Sequence, residues 1–342
     1  MDKRNIIVIG ASAGGFDAIQ KIVTALPPGF DASIFIVWHI SPDIRGILPE
    51  VLNRLQTLPA AHAIDMEPLK TQRIYVAPPD HHLLLEKGRV RISKGPKENR
   101  FRPAVDPLFR SAAYVYGSRV IGVILSGALD DGSAGLWMIQ QNGGITVVQD
   151  PNDAEVPSMP QSALRAVNVD YQVPVLDIPG LLIKLATEYA DHDPKEANTK
   201  QIEAEVRIAM EQEPLQYDFL AFGELTPYTC PECHGVLTSI KEGDNMRFRC
   251  HTGHAFSASS LLAAIGESIE ETLWSAVRNV QESVLLLNHM GDHFAERNQP
   301  KLAAMYFKKG KDAETRANDV RQAVLSHEHL SLGNISQQAD SQ

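Results

Sequence analysis

A chain of 342 residues with 44% hydrophobic content is long enough for two domains and a sizeable core. Its net charge of −10 argues against a nucleic-acid partner. No apolar run approaches the ~20 residues needed to cross a bilayer, and Met1-Asp2-Lys3-Arg4 leads straight into an apolar run without a signal-peptide pattern. The acidity is uneven: residues 1–193 hold 18 basic and 21 acidic side chains, and the remainder holds 14 and 21. All three cysteines fall in this later, acidic part, which suits a reducing cytoplasm.

The first strand is predicted at residues 6–9, a β-branched run closed by Gly10. Phe16, Ile19, Ile22, Val23 and Leu26 then recur at helical spacing and stop before Pro27-Pro28. Between strand and helix lies Gly10-Ala11-Ser12-Ala13-Gly14-Gly15. Small residues, free backbone N–H groups and the positive end of a helix dipole coincide there. On this stretch alone Ser12 reads equally as a nucleophile, part of a phosphate loop, or a helix cap. A dinucleotide fingerprint is broken, because Ser12 stands where the middle glycine belongs and no acidic residue stands out after the second strand.

That second strand spans residues 32–38 and ends at His39, at the sheet edge where α/β folds hold ligands. A helix follows at 47–55, a strand at 73–77, and a hairpin at 82–86 and 89–93 around Lys87-Gly88. His81 and His82 read as solvated loop histidines, and residues 94–103 as a polar, basic surface loop. A helix over 105–116 leads to an apolar strand at 119–125, then to a second Gly-rich loop, 126–135, that contains Asp130 and Asp131. Helix 136–141, strand 145–149, loop 150–160, helix 161–166, strand 171–174 and helix 178–189 complete the series. The alternation predicts an α/β fold with a doubly wound, mostly parallel sheet over residues 1–190.

The rest divides into a linker with a short acidic helix (191–226, helix 203–212), a cysteine module (227–257), a helical hairpin broken near Asn298-Gln299-Pro300 (258–328) and a disordered tail (329–342).

Three strand ends offer Ser12, His39 and Asp131, which share one edge of a parallel sheet. A neutral imidazole can take the proton of a serine hydroxyl. A carboxylate on the other ring nitrogen fixes the tautomer, and N–H groups of the two Gly-rich loops would stabilise the oxyanion. Asp130 is the neighbour that competes for the carboxylate role.

These residues carry a resemblance. Residues 1 to about 190 resemble the catalytic domain of chemotaxis protein-glutamate methylesterases of the CheB type. The matching pieces are Ile9 to Gly15, Trp38-His39, Ile74 to Pro78, Arg102-Pro103-Ala104-Val105-Asp106 with Leu108 to Ser111, Leu125-Ser126-Gly127 through Asp131-Gly132, and Met159-Pro160. The resemblance implies hydrolysis of glutamyl methyl esters, and often deamidation of glutamine, on cytoplasmic receptor helices. It gives Ser12 as nucleophile, His39 as base and Asp131 as orienter, with Ala13, Gly14, Gly127, Ala128 and Met159 in the oxyanion and substrate loops. It implies no cofactor for catalysis. The chain is expected to lack the receiver domain that such enzymes often carry before the catalytic strand. Ala13 and Ala128 also replace a usual threonine and methionine.

Cys230-Pro231-Glu232-Cys233 is a C-x2-C knuckle, and Cys250-His251-Thr252-Gly253-His254 follows after sixteen intervening residues. Three thiolates and an imidazole complete a tetrahedral zinc site. Cys230, Cys233, Cys250 and His254 are the expected ligands, with His251 as the competing histidine, in a zinc-ribbon-like module around a structural zinc. A signalling-protein partner is expected for the hairpin. The rival to an esterase is a non-catalytic regulatory or scaffold protein on the same fold.

Overall fold

The structure, a computed structural model, describes residues 2–39, 46–190, 199–210, 223–242 and 245–327. The expected disordered tail and most of the expected linker lie outside the described residues. In chain order the first part runs β1 (Ile6–Ala11), α1 (Gly15–Thr24), β2 (Ser33–Trp38), α2 (Leu48–Arg54), β3 (Ala60–His62), β4 (Arg73–Val76), β5 (His82–Glu86), β6 (Arg89–Ser93), α3 (Val105–Tyr116), β7 (Val120–Ile124), α4 (Ser133–Gln141), β8 (Ile145–Gln149), α5 (Ser158–Ala166), β9 (Tyr171–Val173) and α6 (Ile178–Thr187).

Seven of these strands form one parallel sheet in the order β3-β4-β2-β1-β7-β8-β9, while β5 and β6 pair separately as an antiparallel hairpin. Alternate residues of β1 point to opposite faces. Ile7 and Ile9 pack with Ile19 and Ile22 of α1 and Leu182 and Leu185 of α6. Ile6 and Val8 join Leu108 and Phe109 of α3, Leu136 of α4 and the hairpin's Leu84 on the other face. The central strands are buried on both faces, as their unbroken apolar runs require. The chain order reverses direction across β1, with β2 on one side and β7 on the other. The loops after β1, β2 and β7 therefore open on one rim, at a topological switch point. The short edge strand β3 is an addition to the strands expected from sequence.

The described chain continues with α7 (Thr199–Ala209), β10 (Glu224–Thr229), β11 (Val236–Glu242), β12 (Asn245–Cys250), β13 (Ala255–Ser257), α8 (Ala258–Glu296) and α9 (Pro300–Leu325). The helix expected at 203–212 thus starts earlier and ends at Ala209. Its Ile202 and Val206 join the core that contains α3, while Glu205 is wholly buried among arginines. β10 to β13 make a four-stranded antiparallel sheet. Two compact units result, Met1–Leu261 and Leu262–Gln342. In the second, α8 and α9 approach through small residues: Ala303, Gly310, Ala313 and Ala317 are buried, and Phe294 stacks on Tyr306 with centroids 5.3 Å apart.

Two readings of the sequence are overturned. His82 is fully buried rather than solvated: its Nε2 lies 2.9 Å from the Pro96 carbonyl oxygen, and its Nδ1 accepts from the Ala104 N–H at 3.3 Å. Burial pushes its pKa down, so it serves as a neutral clamp on the following loop. Loop 94–103 is not a surface loop either, because Glu98 and Asn99 are 1% and 2% exposed. The β10–β13 sheet covers the loop, with Ala255 N donating to Lys97 O and Asn99 N to Ala255 O.

Candidate active site and metal cluster

Ser12 follows the last residue of β1, and His39 the last residue of β2. Ala11 and Trp38 are register partners in those neighbouring strands, and the His39 N–H continues the ladder by donating to Ala11 O at 3.0 Å. Adjacent strands lie about 4.8 Å apart, so hydroxyl and imidazole leave the sheet side by side. Both line one cleft of about 500 Å³, together with Ala13, Gly14, Trp38 and Phe101.

Several contacts fix the serine turn. Ser12 N donates to Ser126 O and Trp38 Nε1 to Ser12 O, each at 3.0 Å. Ser126 Oγ donates to Ala13 O at 2.8 Å. Gly14 has φ +72°, and a Cβ there would stand 2.6 Å from Ser126 Oγ, so both conformation and space demand glycine.

Asp131 lies in the loop between β7 and α4, facing the N-terminus of α3. His39 Nε2 is 2.8 Å from its Oδ2, and Val105 N donates to the same oxygen at 2.7 Å. Asn99 Nδ2 and Asp106 N donate to Oδ1 at 2.8 and 3.3 Å. Burial would raise this carboxyl's pKa. The His39 contact and the N–H donors outweigh it and hold the group below its ordinary value. Asp106, bridged to Asp131 by the Asn99 amide, goes the other way: burial and the Asp131 charge push it up to about 7. Asp130 turns away to accept from Ser257 Oγ at 2.7 Å, and burial pushes it up to about 6. The structure thus brings Asp131, not Asp130, to the imidazole.

With Nε2 on the carboxylate, His39 has one nitrogen left. Nδ1 is buried and has no hydrogen-bond partner among the described residues. An imidazole with one nitrogen on a carboxylate and the other unengaged, in a residue that lines the same cleft as a serine, can serve proton transfer.

The expected oxyanion residues separate into two groups. Gly127 N donates to Val156 O at 3.0 Å and Met159 N to Gly127 O at 2.9 Å, so those two amides are engaged. Among the described residues no hydrogen bond takes up the N–H of Ala13, Gly14 or Ala128. Gly127 matters sterically instead: a Cβ there would stand 2.8 Å from Ser12 Cβ.

Sequence reasoning missed Asn99 and Phe101. Both sit in the loop read as solvated, and the one available signal was an aromatic residue inside a charged run.

In the second sheet, the knuckle after β10 and the turn after β12 bring Cys230, Cys233, Cys250 and His254 together, with their ligand atoms within 4.8 Å of one another. Cys233 Sγ and Cys250 Sγ are 3.6 Å apart, as are Cys250 Sγ and His254 Nδ1. A tetrahedral ion with ~2.3 Å metal–sulfur bonds sets its sulfurs about 3.8 Å apart, so the four side chains fit one. Thr252 Oγ1 lies 3.0 Å from Cys250 Sγ at the rim of the group. His251 packs on Gly235 instead, where its ring would be 2.4 Å from an added Cβ.

Comparison with known proteins identifies related chains. A family profile described as CheB methylesterase matches residues 7–182. A relative from Leptospira interrogans is 44% identical over 180 residues, which is 52% of this chain and 93% of that one. A Pyrococcus horikoshii protein named protein-glutamate methylesterase/protein-glutamine glutaminase is 33% identical over 185 residues, covering 53% of this chain and 50% of the relative. Among solved structures, the Thermotoga maritima CheB methylesterase catalytic domain matches with 36% identity and a TM-score of 0.51, over 53% of this chain and 98% of that domain. The cysteine cluster lies beyond the residues matched by the profile.

Proposed function

The chain belongs to the CheB methylesterase family, and from that premise we propose that it is a carboxylic-ester hydrolase that removes methyl groups from glutamyl γ-methyl esters on methyl-accepting chemotaxis receptor helices, and deamidates glutamine at the same site. Ser12 is the nucleophile, His39 the base and Asp131 its orienter. The single observation that carries this assignment is the 2.8 Å contact between His39 Nε2 and Asp131 Oδ2, which leaves Nδ1 without a hydrogen-bond partner among the described residues while His39 and Ser12 line one cleft.

In this reading Ser12 Oγ attacks the ester carbonyl as its proton passes to His39 Nδ1. The charge that forms on the carbonyl oxygen is met by N–H groups of Ala13, Gly14 and Ala128. Collapse of the tetrahedral species breaks the bond to methoxide, which takes the proton from His39 and departs as methanol, leaving an acyl-enzyme on Ser12. Water, deprotonated by His39, then releases glutamate and restores the hydroxyl. With glutamine as substrate the leaving group is ammonia. Asp131 stays ionised throughout, as its four donors favour. No cofactor takes part.

The cysteine module carries a structural zinc on Cys230, Cys233, Cys250 and His254. Four protein ligands leave no open coordination position for catalysis. Three thiolates suit a reducing cytoplasm. Among the described residues no helix is long and apolar enough to cross a membrane.

The test is methanol release from a methylated receptor cytoplasmic fragment. The wild-type chain releases it, and Ser12→Ala reduces the rate by at least about a thousandfold. A Ser12→Ala protein that demethylates at the wild-type rate removes the serine-hydrolase reading.

A further inference from the structure

Contacts from the active-site carboxylate run beyond the α/β sheet into the cysteine module. Asn99, at φ +49°, is the junction. Its Nδ2 donates to Asp131 Oδ1 at 2.8 Å and to Asp106 Oδ2 at 2.9 Å. Its Oδ1 accepts from Ser257 N at 2.9 Å and from Ser260 Oγ at 3.1 Å. Both donors and both lone pairs of the amide are therefore used, and the chemistry of the partners dictates which way it faces: nitrogen towards two carboxylates, oxygen towards an N–H and a hydroxyl. Its backbone N–H donates to Ala255 O at 2.8 Å.

The three partners on the far side belong to β13 and the first turn of α8. Ala255 follows the ligand candidate His254 directly. Ser257 ends β13, caps α8 by accepting from Ser260 N at 2.9 Å, and donates to Asp130 at 2.7 Å. The metal cluster closes the turn between β12 and β13, so folding of that turn sets where Ala255, Ser257 and Ser260 stand. All of these residues lie in the one compact unit Met1–Leu261.

We propose that Asn99 is a positioning residue for the His39–Asp131 pair, and that the metal-loaded cysteine module sets it through Ser257 and Ser260, so that esterase turnover depends on metal in the module. This rests on the Ser12–His39–Asp131 reading above. The physical role is specific. An N–H on Oδ1 fixes the plane of the Asp131 carboxylate, which aims Oδ2 at His39 Nε2 and holds the tautomer that leaves Nδ1 unprotonated. A module that merely stabilised the fold would not need an oriented amide between two carboxylates.

Asn99→Asp tests this without change of size, because a carboxyl offers at most one donor where the amide supplies two, and it sets a third acid against Asp131 and Asp106. The expected result is a fall in kcat of about ten- to a hundredfold, the worth of one hydrogen bond to a charged group, with KM changed less than about twofold. Ser260→Ala removes one bond to the amide oxygen and adds no charge, so it keeps the assay usable should Asn99→Asp not fold. It is expected to lower kcat about three- to tenfold, with Ser260→Thr restoring it. In a cycle, adding Ser260→Ala to Asn99→Asp costs no further activity, because both act on one contact.

Zinc stripped with 1,10-phenanthroline, followed by metal content and circular dichroism, is expected to lower kcat in step with the metal lost while the α/β signal persists, and zinc re-addition restores both. Unchanged kcat in Asn99→Asp, or full turnover by metal-free protein, overturns the proposal while Ser12→Ala remains inactive. Turnover by Ser12→Ala overturns the triad reading, and the positioning role with it.

Discussion

The His39 imidazole lies face to face on the Phe101 ring, with centroids 3.9 Å apart and planes inclined by 10°. Backbone placement brings His39 to the rim, but it does not choose the plane of the ring. Phe101 does, from the far side of the loop whose Asn99 holds Asp131. The stack also shields the His39–Asp131 contact, where the two side chains are 3% and 1% exposed. Phe101→Ala removes a stacking contact of about 0.5–1.5 kcal/mol and admits water. The expected outcome is a kcat lowered about tenfold with Phe101→Tyr near wild type, measured as methanol release.

Gly127 stands against the nucleophile. A Cβ added there would lie 2.5 Å from Met159 Sδ and 2.8 Å from Ser12 Cβ. The methionine end can move, whereas the serine Cβ is held by a backbone that makes three hydrogen bonds, Ser12 N to Ser126 O and, to Ser12 O, from Gly15 N and Trp38 Nε1. Gly127→Ala is expected to cost about 1–3 kcal/mol of stability through overpacking and to lower kcat at least tenfold. Adding Met159→Ala recovers stability in a thermal melt and leaves kcat low, because the clash with Ser12 persists.

The apolar runs at β1, β2 and β7 made the parallel sheet legible, because strands buried on both faces leave no other pattern. The placement of Ser12, His39 and Asp131 on one rim was legible for a related reason: each lies in a loop after such a strand, and parallel strands share a rim. The loop 94–103 was not legible. Its Lys94, Lys97, Arg100 and Arg102 describe a solvated segment when taken alone. Its burial depends on a sheet formed about 150 residues later, whose Arg247 and Arg249 neutralise Glu98. His82 was misread for the same reason, since its partners Pro96 and Ala104 belong to that covered loop. Long-range covering of this kind leaves no local periodicity to detect.

Three guanidinium groups, Arg110, Arg247 and Arg249, share two buried carboxylates, Glu98 and Glu205. Burial alone would raise both acids, but the arginines outweigh it, hold Glu98 well below its ordinary value and bring Glu205 down to about 2. Depressed folded values mean stability that is present above the unfolded value of 4.5 and lost as pH falls towards 2. Asp106 has the opposite sign: its folded value of about 7 exceeds 3.8, so its contribution is full below pH 3.8 and is lost as pH rises through 7. Urea unfolding between pH 3 and 8 is expected to show both slopes. Glu205→Gln removes most of the acid one and destabilises the protein at pH 6 by about 3–5 kcal/mol, since it leaves buried guanidinium charge uncompensated.

The group Cys230, Cys233, Cys250 and His254, which could hold a metal ion, separates two histidines four and one residues beyond Cys250. His254 Nδ1 faces the sulfurs, while the ring of His251 is turned onto Gly235. One zinc per chain is expected in the purified protein by atomic absorption. His254→Ala and Cys230→Ser each release it to a chromogenic chelator and lower the melting temperature by about 5–10 °C, because the turns after β10 and β12 lose the ion that closes them. His251→Ala retains the zinc. Retention by His254→Ala with loss in His251→Ala would reverse the ligand assignment, and a metal-free wild type that melts at the same temperature as the purified chain would remove the structural role.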